Sequence, residues 1–217
     1  MLGVDGWRGR WVGALLDGRR VTLLELADVW AVLAVPGVDV VAIDMPIGLS
    51  DDGVRACDVL ARKRLGRAGS SVFPAPLRQV LEARNYAEAC RISVAASGRA
   101  LSKQAWNLVP AIRGVDAALG DPPREDVWEV HPELSFRALD PEVADPKVTA
   151  RGLAQRLRAL QRVMDVDLLE APPLVPAVDA LDACAAAWSA QRIAEGTAEC
   201  VGDDARDARG RAMRIAW

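Results

Sequence analysis

Short apolar runs separated by Gly and Asp open the chain and set its local structure. Leu2-Gly3-Val4-Asp5-Gly6 is a brief buried strand ending at an aspartate, Gly6-Trp7-Arg8-Gly9-Arg10 is a turn, and Trp11-Val12-Gly13-Ala14-Leu15-Leu16 is a second strand. Asp17-Gly18 is a hairpin signal, because both residues tolerate the positive φ of a tight turn, and Val21-Thr22-Leu23-Leu24-Glu25-Leu26 follows as a third strand. Together these predict a three-stranded antiparallel meander. A short helix is expected over 27–34, with Asp28 near its start. Val38-Asp39-Val40-Val41-Ala42-Ile43 is rich in β-branched residues, as expected of a strand buried on both faces, and Asp44 ends it.

The pattern then changes to helical spacing. Helices are expected over 54–65, 77–82, 86–96 and 102–118, with Asp51-Asp52 capping the first and a loop at 69–76. Arg62-Lys63-Arg64 fall near the end of that first helix, where cations suit the helix dipole. Val127-Trp128-Glu129-Val130 is a fifth strand stopped by His131-Pro132-Glu133, with a helix expected over 134–138. Leu153, Leu157, Leu160 and Met164 recur at helical spacing in a basic amphipathic helix over 149–165. An Ala-rich helix containing Trp188 is expected over 178–196, then a charged, partly loose tail at 202–211, with Trp217 docking back. The architecture read from this is one α/β domain over 1–217. Its mixed five-stranded sheet has three antiparallel strands and then parallel ones, flanked by helices, with a helical insertion at about 51–120 between strands four and five.

Composition narrows the chemistry. Of 217 residues, 51% are hydrophobic and 26% charged, which excludes a disordered chain. The apolar runs are far shorter than the roughly 18 residues that span a bilayer, so no membrane partner is expected. Met1 to Gly6 lacks a basic n-region and a long apolar h-region, so no signal peptide is expected and a cytoplasmic location is. Cys57, Cys90, Cys184 and Cys200 form no C-x-x-C pair and are expected as buried free thiols. His131 is the only histidine, which excludes a three-histidine zinc site. Neither G-x-S-x-G nor G-x-x-x-x-G-K-[ST] is present, so the chemistry must lean on carboxylates.

Net charge is −3, but it is unevenly spread. Between Arg55 and Arg113 eleven basic residues meet three acidic ones, and between Asp116 and Asp145 nine acidic residues meet two basic ones. An acidic chain with such a basic stretch is able to neutralise phosphates, and a solvated helix face is the plain alternative.

Asp5 and Asp44 end apolar strands, and Asp179 and Asp182 begin the last helix three residues apart, on one face. If strands one and four pair, Asp5 and Asp44 share the rim of the sheet where ligands bind in open α/β folds. Four clustered carboxylates repel unless a cation neutralises them, and hard oxygen donors suit Mg²⁺ or Mn²⁺. Two such ions are the template for in-line displacement at phosphorus. Singly, each residue has a plainer role: a turn cap for Asp5, the Pro turn for Asp44, an N-cap for Asp179.

Gly3-Val4-Asp5-Gly6-Trp7, Ile43-Asp44-Met45-Pro46-Ile47-Gly48-Leu49, Ser71-Val72-Phe73-Pro74-Ala75-Pro76, Glu129-Val130-His131-Pro132-Glu133 and Asp179-Ala180-Leu181-Asp182-Ala183 carry a resemblance nearly end to end. The chain resembles a family of predicted RNase H-like nucleases, a domain of unknown function in the ribonuclease H-like superfamily. The resemblance implies an RNase H-like fold. In the Holliday-junction-resolvase branch the acids come from strand one, the end of strand four and the last helix, the places held here by Asp5, Asp44, Asp179 and Asp182. Asp44 stands where that branch usually carries Glu. Glu129 joins the candidate catalytic set, and His131 beside it is a candidate substrate contact; a hydrogen-bonded structural trio with Glu133 is the alternative. Arg62, Lys63, Arg64, Ser71 and Lys103 are candidates for binding substrate phosphate.

The function expected is metal-dependent hydrolysis of nucleic acid, its type left open. Two other readings stand beside it. One is phosphate or ATP handling on the related actin-like fold, suggested by Asp5-Gly6-x-x-Gly9, where a homodimer would have to complete the site. The other is a catalytically silent binding module.

Overall fold

The computed structural model describes residues 1–202 and 205–217. Along the chain run strands β1 (Leu2–Trp7), β2 (Arg10–Asp17), β3 (Arg20–Leu26), β4 (Val41–Ile43) and β5 (Val127–Glu129). The helices are α1 (Val29–Leu33), α2 (Ala56–Leu65), α3 (Tyr86–Ser97), α4 (Lys103–Ala118), α5 (Pro132–Leu139), α6 (Ala150–Gln161) and α7 (Ala177–Ala194). The chain divides into two compact units, one of Met1–Met45, Asp126–Glu199 and Ala216–Trp217, the other of Pro46–Glu125 and Cys200–Ile215.

The first unit is an α/β layer built on a mixed five-stranded sheet in the order β3-β2-β1-β4-β5. β1, β2 and β3 pair antiparallel as a meander, and β4 pairs parallel with both β1 and β5. β1 does not stop at Asp5: it continues against β2 through Asp5↔Val12 to Trp7↔Arg10, while its pairing with β4 ends at Val4↔Ile43. β4 is shorter than its β-branched run, three residues only. β3 lies at the sheet edge and alternates, Val21 and Leu23 inward and Thr22 outward, as a one-faced edge strand should. Asp28 caps α1 by accepting from the Ala31 amide at 2.8 Å, and Thr149 caps α6 by accepting from Gly152.

α7 is the helix that fixes the sheet rim. Its small residues Ala180, Ala183, Ala186, Ala187 and Ala190 are all fully buried, and Leu181 with them. They permit an approach so close that a Cβ at Gly3 in β1 would lie 1.9 Å from the Ala187 nitrogen and 2.2 Å from the Ala183 oxygen. Only glycine fits there. His131-Pro132-Glu133 does not merely stop β5 but begins α5, with Pro132 in the first turn, where its missing N–H costs nothing. Trp217 is buried, and its carbonyl accepts from Arg192 at 2.9 Å and from the Glu199 amide at 3.0 Å.

The second unit holds α2, α3 and α4, the helices between β4 and β5. Asp51-Asp52 do not cap α2, which starts at Ala56 after Arg55. Arg55 instead donates to the carbonyls of Ile47 and Gly48 at 2.9 and 3.1 Å and pairs with Asp58, which also accepts from the Ala75 amide. That pair, both side chains 1% exposed, ties the Pro46-to-Leu49 turn to the Phe73-to-Pro76 loop. The segment expected over 77–82 is a 3₁₀ turn, Arg78–Glu82.

The charged tail departs from expectation. Asp207 and Arg211 are buried, and Asp207 accepts from the Leu49, Arg209 and Arg211 amides as well as from Arg78. Burial pushes the Asp207 carboxyl up, but these donors outweigh it and hold it below its ordinary range. Asp203 and Asp204, part of that expected loose stretch, lie outside the described residues. All four cysteines are free; Cys57 and Cys184 are buried, Cys90 is half-buried and Cys200 is exposed. Among the described residues no helix is long and apolar enough to cross a membrane.

Candidate functional site

The parallel pairing of β1 with β4 builds the site. Asp5 and Asp44 each stand one position beyond the last paired residues, Val4 and Ile43, and the Asp44 amide donates to the Val4 carbonyl at 2.9 Å. α7, drawn onto β1 by its alanines, brings Asp182 and Asp179 to the same rim. The four carboxyls act on one another electrostatically. Asp5 is raised well above its ordinary value, by burial first and then by Asp44, Asp182 and Asp179. Asp44 is raised by burial, against the opposing pull of His131 and Lys147. Asp182, 1% exposed, is pushed to about 6 by burial in spite of Lys147, and Asp179 is raised by burial to a lesser depth. Cys184, two residues after Asp182 in α7, is pushed up to about 12 by burial and by Asp182, so no thiolate is available there.

Lys147 is the residue that sequence reasoning passed over. It lies in the loop between α5 and α6, and its Nζ donates to Asp182 Oδ2 at 2.6 Å. The neighbouring acids outweigh burial and hold the ammonium above its ordinary range, so it stays charged. The other oxygen of Asp182, Oδ1, is buried without a hydrogen-bond partner among the described residues. The only signal in the chain was position: Lys147 is the first cation after the acid-rich stretch that ends at Asp145.

Glu133, one of the flanking acids, has a structural task. Arg156 grips both its oxygens at 2.7 and 2.9 Å and donates to the Asp145 and Gly152 carbonyls as well. Glu129 is buried at the end of β5, in register with Ile43. His131 precedes α5, bears on Asp44 electrostatically and keeps Nδ1 buried without a partner among the described residues.

The candidate phosphate contacts belong to the second unit. Arg62, Lys63 and Arg64 are exposed in the last turn of α2, with Arg67 just beyond, and Arg62 donates to the Val72 carbonyl. The Ser71 hydroxyl is spent on the Ala68 carbonyl at 2.8 Å. Lys103 begins α4 with its Nζ 4.6 Å from the centre of the Tyr86 ring.

Does the rim suit the Mg²⁺ or Mn²⁺ that the resemblance implies? The donor set is hard oxygen throughout, and Asp182 Oδ1 is the kind of orphaned acceptor a cation satisfies. Among the described residues, however, no group of three or more His, Cys, Asp or Glu side chains is gathered round one point as metal ligands. The donors fit by chemistry, and Lys147 holds one of them.

A family model described as "Protein of unknown function (DUF429)" matches residues 3–207. No curated protein and no solved structure matches the chain.

Proposed function

The chain belongs to the DUF429 family of proteins of unknown function, and we propose that it is an RNase H-like, divalent-metal-dependent nuclease that hydrolyses phosphodiester bonds. The observation that carries this reading is the convergence of Asp5, Asp44, Asp179 and Asp182 from β1, β4 and α7, with burial raising the proton affinity of all four and repulsion from other members of the set adding to that of Asp5 and Asp182. Natural sequences do not keep repelling buried acids for stability, so such a cluster marks a functional site. The meander followed by parallel strands supports the RNase H-like assignment.

Asp5, Asp44 and Asp182, with Asp179 at their edge, would hold Mg²⁺ or Mn²⁺. Such ions lower the pKa of water and screen the charge that builds on a phosphoryl group. The chain's own part is positional. Backbone pairing of β1 with β4 fixes Asp5 and Asp44, and the packing of α7 on Gly3 fixes Asp182. Glu129 and His131 stand at the end of β5 beside them, where His131 tempers the charge of Asp44. Arg62, Lys63, Arg64 and Lys103, in the second unit, are the cations that would bind phosphates if the substrate is nucleic acid.

Purified protein is incubated with labelled single-stranded, duplex, hybrid and branched nucleic acids plus Mn²⁺, and in parallel with ATP. The expected result is cleavage that needs Mn²⁺ and disappears in Asp5→Asn and Asp44→Asn. Cleavage of nothing, or cleavage that persists in both variants, overturns the reading. ATP hydrolysis would favour the phosphate-handling alternative, and tight binding without cleavage the silent module.

A further inference from the structure

We propose that Lys147 is a displaceable internal cation: its ammonium neutralises the acidic rim in the metal-free protein and competes with a divalent ion for Asp182. The inference rests on the metal-dependent reading above and adds to it what the metal must replace.

The contrast with Arg156 and Glu133, in the same unit, makes the case. Glu133 and Asp182 are both buried acids, each met by one cation from the segment after α5. Arg156 is 4% exposed along its side chain, binds both oxygens of Glu133 and is itself held by two backbone carbonyls. That is a locked pair. Lys147 makes one hydrogen bond, to one oxygen, and its side chain is 40% exposed while that of Asp182 is 1%. Its ammonium reaches in from solvent on a flexible stem, so it can return to water without moving the backbone. The backbone behind it is anchored: the Thr149 amide donates to the Pro146 carbonyl at 2.9 Å, and Gly152 packs so tightly on Pro146 that a Cβ there would lie 2.1 Å from its carbonyl oxygen. A swing of the stem is therefore the motion available, not a rearrangement of the loop.

Charge explains both states. One ammonium bears on Asp5, Asp44, Asp179 and Asp182 at once, so it offsets only part of their repulsion. It also leaves Asp182 Oδ1 unsatisfied. A divalent ion carries twice the charge and takes several oxygens, and an ammonium held on Oδ2 of the same carboxylate repels it.

The test compares the full chain with Lys147→Met, which keeps the stem and removes the charge. Without metal, Lys147→Met should melt below wild type. In calorimetric titration it should bind Mn²⁺ about tenfold more tightly, since no ammonium has to leave. Lys147→Arg should melt as wild type does and show no such gain. If wild type binds Mn²⁺ and Lys147→Met binds it no more tightly, the competition is refuted while the metal reading stands. If neither binds Mn²⁺, the metal reading falls and this inference with it. A wild-type measurement stands even where Lys147→Met does not fold. The ¹⁵N-ammonium resonance of Lys147, slowed in exchange by its ion pair, should be lost on titration with diamagnetic Mg²⁺. Its persistence to saturation overturns the proposal.

Discussion

Glu133 and Asp182 show how much a buried carboxylate depends on its partner. Arg156→Met leaves Glu133 charged, buried and unpaired, and should cost about 3–5 kcal/mol in urea denaturation. Asp182→Asn should behave in the opposite way. It removes a charge from a repelling cluster, so the metal-free variant should be at least as stable as wild type, while Mn²⁺-dependent cleavage falls by orders of magnitude. The same residue sets a pH dependence. Its carboxyl is raised to about 6 in the folded protein, so the native state takes up a proton more readily than the unfolded chain. That stabilisation is complete below the unfolded value near 3.8 and is lost as pH rises through about 6. Melting of the metal-free protein between pH 5 and pH 7 should therefore show a decline with rising pH, shallower in Asp182→Asn; a steeper decline in the variant would contradict the assignment. Asp5 and Asp44 are raised as well, so the slope is reduced and not abolished.

At the scale of elements, the contact between α7 and β1 positions the rim. Gly3→Ala places a Cβ against helix backbone that cannot yield, and should cost about 4 kcal/mol or more, seen as loss of the cooperative melt. Trp188 is the milder site. The helix pattern points it at the sheet, and a fully buried indole there would cost about 3–5 kcal/mol to remove. The structure leaves it only partly buried, with the Arg192 guanidinium 4.8 Å over its ring. Trp188→Ala should therefore cost about 1–2 kcal/mol. A loss above that range in urea denaturation would mean that the ring carries more of the core than its exposure indicates.

Across the whole molecule, charge is the quantity that bears on partners. Net charge is −3, yet Arg62, Lys63, Arg64 and Arg67 are exposed together around the end of α2. If they neutralise phosphates, affinity for nucleic acid measured in EDTA should fall as salt rises, and each residue changed to Gln should lower the log–log slope by about 0.7–0.9. Lys63 and Arg67 give the cleaner result, because Arg62 also holds the Val72 carbonyl. A slope unchanged by all four substitutions would make them an ordinary solvated face.

Periodicity and local chemistry determined the parts of this protein that depend on near neighbours in the chain. Alternation in Val21 to Leu26, the β-branched run before Asp44, the hairpin turn at Gly18 and the side-chain caps at Asp28, Ser102 and Thr149 are all decided within a few residues. So was the placement of Asp44 at the end of an apolar strand. Local signals misplaced elements that a neighbour from elsewhere overrides: β1 runs past Asp5 because β2 continues to pair with it, and Asp207 and Arg211 are buried with hydrogen bonds to residues far back in the chain. The environment of the acids was beyond reach for the same reason. Lys147 and Asp182 are 35 residues apart, Arg156 and Glu133 are 23 apart, and a charged residue reads alike whether its partner is water, a locked guanidinium or a loose ammonium. Desolvation and pairing belong to the packed structure, and those two quantities decide which carboxylates hold the fold together and which are left with charge to spare.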